Sequence, residues 1–108
     1  QGVVTEKPKE NSIDGLKINV RLLNKEDIKE RNLPKNTTGL VITKIEKDSP
    51  VNYLQVNNII VEAQKKKINT IGDLDNIVKL ALKGVDKSLL IAIYNNNNQR
   101  RYIGVKLN

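Results

Sequence analysis

The stretch from Asn36 to Leu74 constrains the fold of this chain more than any other part. It reads NTTGLVITKIEKDSPVNYLQVNNIIVEAQKKKINTIGDL. Leu40 to Ile45 predicts a strand buried on both faces, because its apolar residues do not alternate cleanly with polar ones. A turn at Asp48-Ser49-Pro50, a central strand from Ile59 to Ala63, a basic turn and a capped helix start follow in that order. This order predicts a small sheet with a helix packed on it.

The composition predicts one domain with an aliphatic core. The chain has 108 residues, which fits a single domain. It contains no Phe, Trp or Met and only three Tyr, so Ile, Leu and Val must fill the interior. A core of β-branched and aliphatic residues favours a small sheet plus a helix over a fold built on aromatic packing.

Several kinds of chemistry are excluded by residues that the chain lacks. It has no Cys, so neither a disulfide framework nor a thiolate metal site can form. It has no His, the commonest general base and neutral metal ligand. Ser49 and Ser88 therefore have no partner for a nucleophilic mechanism, and we interpret them as a turn residue and a strand-edge residue. We predict no cofactor, no metal and no enzymatic activity for this chain itself.

Membrane insertion is also not predicted. No apolar run approaches the roughly 18 residues that a membrane span needs. The first ten residues, QGVVTEKPKE, lack the apolar core of a signal peptide. If the parent protein is exported, we expect its signal to lie upstream of this chain.

The formal net charge of +7 suggests an acidic partner, but the basic residues are scattered. The densest run, Lys65-Lys66-Lys67, falls between strand-like segments and is typical of a solvated hairpin turn. Nucleic-acid binding would be better supported by aromatic residues interleaved with basic ones. We therefore predict no nucleic-acid partner and keep a basic nucleic-acid-binding domain only as a lesser alternative.

Local patterns place the remaining elements. Residues 1–12 are polar and predict a linker or disordered N-terminus, followed by a domain over residues 13–108. Alternation from Leu16 to Leu22 predicts a half-buried strand. A capping box predicts a helix over Lys25 to Arg31, and a second one predicts a helix that starts after Thr70 and ends at Lys83. Two more strands are predicted, together with a short one at Ile68: Ser88 to Tyr94 and Tyr102 to Leu107.

Four segments, in this order and spacing, resemble a PDZ domain of the Do-like (HtrA-type) serine proteases. Gly39-Leu40-Val41-Ile42 is similar to the family's Gly-led apolar strand, and Asp48-Ser49-Pro50 to its Ser-Pro turn. Ile59 to Ala63 resembles its central strand, and Ile68 to Leu74 the start of its groove helix. The resemblance covers nearly the whole chain and is greatest to the second, C-terminal PDZ domain of such proteases.

The chain also departs from the family pattern. The family usually has Gly-Asp before its central strand, where this chain has Asn57-Asn58. The connector after Ser49-Pro50 is about two residues short by comparison with the family. The usual Gly of the following turn is absent at Lys65. These departures leave the order of the strands intact.

The resemblance implies an α+β fold: a small, partly open β-barrel or sandwich of five to six strands capped by two helices, in the permuted bacterial topology. It also implies that peptides bind by strand addition to the edge from Leu16 to Val20. Amides around Gly15 and Leu16 would hold a terminal carboxylate. The implied peptide-binding residues are Asp14, Gly15, Leu16, Lys17, Ile18, Val20, Ile71, Asp75 and Val78.

Two acids in this implied groove favour a different role. A carboxylate at Asp14 would repel the terminal carboxylate of a ligand, and Asp75 would act in the same direction. An acidic residue at the position of Asp14 resembles the second PDZ domain, whose family role leans towards assembly of the protease. Both peptide capture and assembly contacts therefore stay open.

By resemblance, the parent is a periplasmic serine endopeptidase of protein quality control, whose catalytic domain would lie upstream. The implied partners are unfolded or C-terminal peptide segments, the protease domain and neighbouring protomers. The alternative is a PDZ module of another envelope protease or of a scaffold.

Overall fold

A computed structural model describes residues 10–85 and 87–107, and these form seven strands and two helices. The described strands are β1 (Glu10–Ile13), β2 (Ile18–Leu22), β3 (Leu40–Ile45), β4 (Ile59–Ala63), β5 (Lys66–Lys67), β6 (Ser88–Tyr94) and β7 (Arg100–Lys106). Helix α1 spans Lys25–Arg31 and helix α2 spans Ile71–Lys83. The fold is α+β, as predicted, with one more strand than the upper limit of the predicted five to six.

The strands form one antiparallel sheet in the order β1-β2-β3-β4-β6-β7, with β5 paired to β4. Strand β2 is paired along both edges. Its register with β1 runs from Glu10 opposite Arg21 to Ile13 opposite Ile18. On its other edge it pairs with β3, with an irregularity between Asn19 and Val20. Within the described residues, β1 and β7 are thus the two end strands of the sheet.

The main core lies between the sheet and α2, and it is aliphatic, as predicted. Leu74 and Val78 are the buried residues of α2 and face this core. A smaller cluster on the other face of the sheet is formed by Val41, Ile59, Val61 and Ala92. Residues of β3 contribute to both clusters, which confirms the prediction that this strand is buried on both faces.

Both predicted capping boxes are present. The side-chain oxygen of Asn24 accepts the N–H of Asp27, and the backbone N–H of Asn24 donates to the Asp27 carboxylate, which starts α1. Thr70 and Asp73 make the same reciprocal pair at the start of α2. Backbone N–H groups of Asn69 and Thr70 hold the pKa of the Asp73 carboxyl below its ordinary value. The caps explain why both helices begin where the sequence predicts.

The structure differs from the prediction at the start of the domain. The predicted strand from Leu16 begins only at Ile18, because Asp14 to Lys17 form a turn. Residues 10–12, predicted as part of a linker, pair with β2. Residues 1–9 lie outside the described part of the chain, so the predicted domain boundary stays a prediction. Smaller shifts occur at β5, which replaces the strand predicted at Ile68, and at β7, which begins at Arg100.

Gly39 directly precedes β3 and lies beside β4, and the structure leaves no room for a side chain there. A Cβ at Gly39 would approach the backbone oxygen of Ile60 to 2.6 Å. We expect Gly39→Ala to lower the free energy of unfolding by about 1–3 kcal/mol, because backbone must move to accept the methyl group. Gly104→Ala is the matched control, since its Cβ would meet nothing within 4 Å. Urea unfolding midpoints of both variants check this, and equal midpoints would contradict it.

Candidate functional site

The turn from Asp14 to Lys17 connects β1 to β2 and contains the amides expected to bind a carboxylate. The N–H groups of Leu16 and Lys17 both donate to the carbonyl of Ile13, at 3.0 and 2.8 Å. Lys17 has a positive φ of 53°, which lets the chain reverse within four residues. The amide of Leu16 is therefore already engaged inside the turn.

Gly15 lies directly against α2. A Cβ at this position would be 2.3 Å from Cγ1 of Val78 and 3.0 Å from Cδ1 of Leu82. The absence of a side chain at Gly15 thus allows the turn to contact the helix. The resemblance implied that amides around Gly15 would hold a ligand's carboxylate, whereas the structure places Gly15 against α2.

The apolar residues of the implied groove are brought together, and they are buried. Leu16, Ile18, Val20 and Val78 are each at most 1% exposed. Ile71 is half-buried and packs against the same cluster. Ile13 of β1, opposite Ile18 in the register, belongs to this cluster too. The apolar part of the implied groove is therefore filled by side chains of the protein's own core.

Strand β1 lies on the edge of β2 that was expected to receive a peptide. A strand has two edges, and β3 occupies the other edge of β2. The N–H of Glu46 donates to the carbonyl of Lys17, so this carbonyl and the backbone groups of Asn19, two residues further on, point towards β3. Ile18 and Val20 therefore point theirs towards β1. Residues 10–13 run antiparallel to β2 and end at the turn, as a captured peptide would.

Acidic and basic side chains meet where the turn approaches α2. The Asp75 carboxylate lies 2.9 Å from the Lys79 ammonium. The pKa of Lys79 is raised mainly by Asp75, with a smaller contribution from Asp14. Lys79 thus offsets the negative charge of both acids. Sequence reasoning missed Lys79, although its position four residues after Asp75 is the spacing of a helical ion pair.

Lys17, the remaining implied site residue, points to another part of the chain. Its ammonium lies 2.5 Å from the carboxylate of Asp48. Each group favours the charged form of the other, so the pKa of Lys17 is raised and that of Asp48 is lowered. Both side chains are exposed, so this pair orients the turn more than it stabilises the fold.

The Asp48-Ser49-Pro50 turn is hydrogen-bonded to the β1–β2 turn. Ser49 Oγ donates to the carbonyl of Leu16 at 2.5 Å and accepts the N–H of Val51 at 3.0 Å. Ser49 is 3% exposed, so this hydroxyl satisfies buried backbone groups. The sequence predicted Ser49 as a turn residue, but the partner 33 positions away has no local signal.

An open cleft does lie beside α2, but on a different face of the helix. It has a volume of about 350 Å³, and Ile77, Leu80 and Ala81 contribute its helical wall. Leu80 follows Val78 by two residues, which is about 200° around a helix. This cleft and the implied groove are therefore separate sites.

The described residues contain no cluster of three His, Cys, Asp or Glu side chains that could hold a metal ion. In the same part of the chain, no helix has the length and apolar character that a membrane crossing needs. The arrangement around β2 consists of backbone hydrogen bonds along both edges and apolar packing.

The sequence matches no protein-family model and no curated protein. Among solved structures, the HtrA-type protease AlgW with decapeptide matches with a TM-score of 0.65 at 19% identity, over 85% of this chain. The match covers 28% of the AlgW chain, so this chain spans less than a third of that protein's length. At this identity the likeness shows the fold, which is α+β and PDZ-like.

The hydroxyl of Ser49 gives a direct test of how the β1–β2 turn is held. Ser49→Ala leaves the buried carbonyl of Leu16 without its donor, which costs about 1–3 kcal/mol of unfolding free energy. Ser88→Ala is the control, because Ser88 is exposed on β6 and should change stability by no more than about 0.5 kcal/mol. Denaturant unfolding measures both, and a Ser49→Ala midpoint equal to that of the control would show that the bond is dispensable.

Proposed function

We propose that this chain is a non-catalytic PDZ-like module of an HtrA-type serine protease of the bacterial envelope. In this proposal it acts in protein quality control by docking other protein segments or neighbouring protomers. Its fold likeness to an HtrA-type protease supports the parent, together with the four sequence segments that resemble that family. The complete lack of His means that a Ser-His-Asp mechanism would need residues from elsewhere in the parent.

The pairing of both edges of β2 is the observation that carries the docking role. Peptide capture by a PDZ-like domain needs one free strand edge beside the groove helix. Here β1 supplies the hydrogen bonds that a peptide would supply, and Ile13 contributes to the pocket. With β1 in place, β2 has no free edge, so contacts in the parent must use other surfaces.

Peptide capture remains the second candidate, in a state where β1 has left β2. The AlgW structure contains a decapeptide, which is a property of that protein. In this chain, β1 has only four residues, and the side chains of Asn11 and Ser12 are exposed. Because mainly Ile13 anchors β1, a peptide would displace only a weakly held strand from β2.

The sequence of the full-length parent tests the first part of the proposal. An HtrA-type parent should carry a catalytic domain upstream, with His, Asp and a Ser in a Gly-Asn-Ser-Gly-Gly block. Its absence would rule out this parent while leaving the PDZ-like fold untouched.

Two proline variants of β1 test whether the β2 edge is closed. Ile18 and Val20 point their backbone groups towards β1, so Asn11, opposite Val20, donates its N–H into the ladder and Ser12 does not. Asn11→Pro therefore removes a hydrogen bond to β2, and Ser12→Pro is the matched control. Each protein is titrated with an apolar free-acid peptide and its amidated twin while amide chemical shifts are recorded.

We expect no saturable shifts at Ile18 and Val20 in the unmodified chain or in Ser12→Pro. If Asn11→Pro shows saturable shifts with the free-acid peptide and none with the amidated peptide, peptide capture after release of β1 is established. Saturable shifts at these two amides in the unmodified chain would contradict the closed edge and the docking role derived from it.

A further inference from the structure

Strand β7 presents the long open edge of the sheet. Within the described residues it pairs with β6 alone, over seven residues. Leu107 N–H donates to the carbonyl of Lys87, and Asn95 N–H donates to that of Gln99, so odd-numbered residues of this ladder face β6. The backbone groups of Arg100, Tyr102, Gly104 and Lys106 therefore point outwards.

Aromatic side chains flank this outward edge. Tyr102 is 61% exposed on the face of the sheet opposite the main core. Tyr53 is 55% exposed, and its hydroxyl donates to the carbonyl of Gly104 at 3.5 Å. That separation is at the limit of a hydrogen bond, so an added strand can replace it at little cost. An incoming strand would contact Tyr102 on one face and meet Tyr53 at the edge.

The charge of β7 selects the kind of partner. The strand carries Arg100, Arg101 and Lys106 and no acidic residue. Arg100 already pairs with Glu62 at 2.6 Å and lies over the Tyr102 ring, whereas Arg101 and Lys106 are exposed. The β7 edge of a second copy of this chain would carry the same cations and no carboxylate, so it offers no opposite charge to Arg101 and Lys106. An acidic strand would place carboxylates opposite them.

We propose that β7 binds an extended acidic segment of a partner protein by strand addition. Backbone hydrogen bonds at Tyr102, Gly104 and Lys106 hold the segment, and Arg101 and Lys106 favour carboxylates along it. This site is separate from the β2 edge. The proposal does not depend on which parent protein carries the domain.

Blocked peptides test this proposal on the intact chain. The probe is a nine-residue peptide with paired glutamates near both ends and valines between them, so that it presents carboxylates on both faces of the strand. The control peptide has lysine in place of glutamate. We expect saturable amide shifts at Tyr102, Gly104 and Lys106 with the glutamate peptide only, weakening as salt is raised. No saturable shifts, or equal responses to both peptides, would overturn the proposal, as would shifts confined to β2.

Gly104 allows a matched pair of variants, because its side-chain position is open and its N–H points away from β6. Gly104→Pro keeps the pairing with β6 but removes an outward donor and blocks close approach, so affinity should fall about tenfold or more. Gly104→Ala keeps the donor and should bind within about twofold of the unmodified chain, since no hydrogen bond is lost. Unchanged binding by a folded Gly104→Pro would overturn the strand-addition geometry.

Charge reversal provides a second measurement should the proline variant fail to fold. Arg101→Glu with Lys106→Glu should lose the glutamate peptide and gain the lysine peptide. Lys29→Glu with Lys35→Glu changes the net charge equally at exposed positions on α1 and the loop after it. This control should keep the original preference. If both double variants behave alike, the response reports overall charge and the β7 site is wrong.

Discussion

Hydrogen bonding along both edges of β2 is the constraint on which the rest of this structure depends. The strand is the junction between β1 and the remainder of the sheet, and its side chains Ile18 and Val20 lie in the core beneath α2. In a PDZ-like domain this strand usually has one edge available for a peptide. Because β1 takes that edge, the chain completes its own sheet along the strand that the resemblance implied as the peptide-binding edge.

Two contacts keep this arrangement in register, and they come from different parts of the chain. Gly15 lets the β1–β2 turn contact Val78 of α2, and Ser49 holds the carbonyl of Leu16 from the opposite direction. The turn is therefore fixed between helix and sheet. Ser49 belongs to the Asp48-Ser49-Pro50 segment, so a motif that identifies the scaffold also positions the turn beside the groove.

The fold was predictable wherever its signals are local. Both capping boxes give the helix starts, and the apolar stretches in β3 and β6 give strands at the predicted residues. Strand β1 was not predictable in this way, because Glu10, Asn11 and Ser12 are polar and only Ile13 indicates burial. Its pairing depends on the register with β2, which periodicity within one segment does not contain. The same holds for the hydrogen bond between Ser49 and Leu16.

The grouping of the implied groove residues was predictable, whereas their role in binding a peptide stays a prediction. The resemblance implied Leu16, Ile18, Val20, Ile71 and Val78 as peptide-binding residues of one groove, and the structure places them in or against one core cluster. What the resemblance left open was the content of that pocket. The pocket is filled by side chains of the same chain, because a covalently attached strand is already at the groove and needs no association from solution.

This covalent connection also bears on the charge of Asp14. A captured peptide would end in a carboxylate, and an acid beside it would be repelled. Strand β1 does not end there: Ile13 continues into Asp14, and its neutral carbonyl accepts the N–H groups of Leu16 and Lys17. An acid at position 14 then faces no ligand carboxylate and lies within the electrostatic reach of Lys79. Asp14 is thus compatible with the closed edge and would disfavour only the open, carboxylate-binding state.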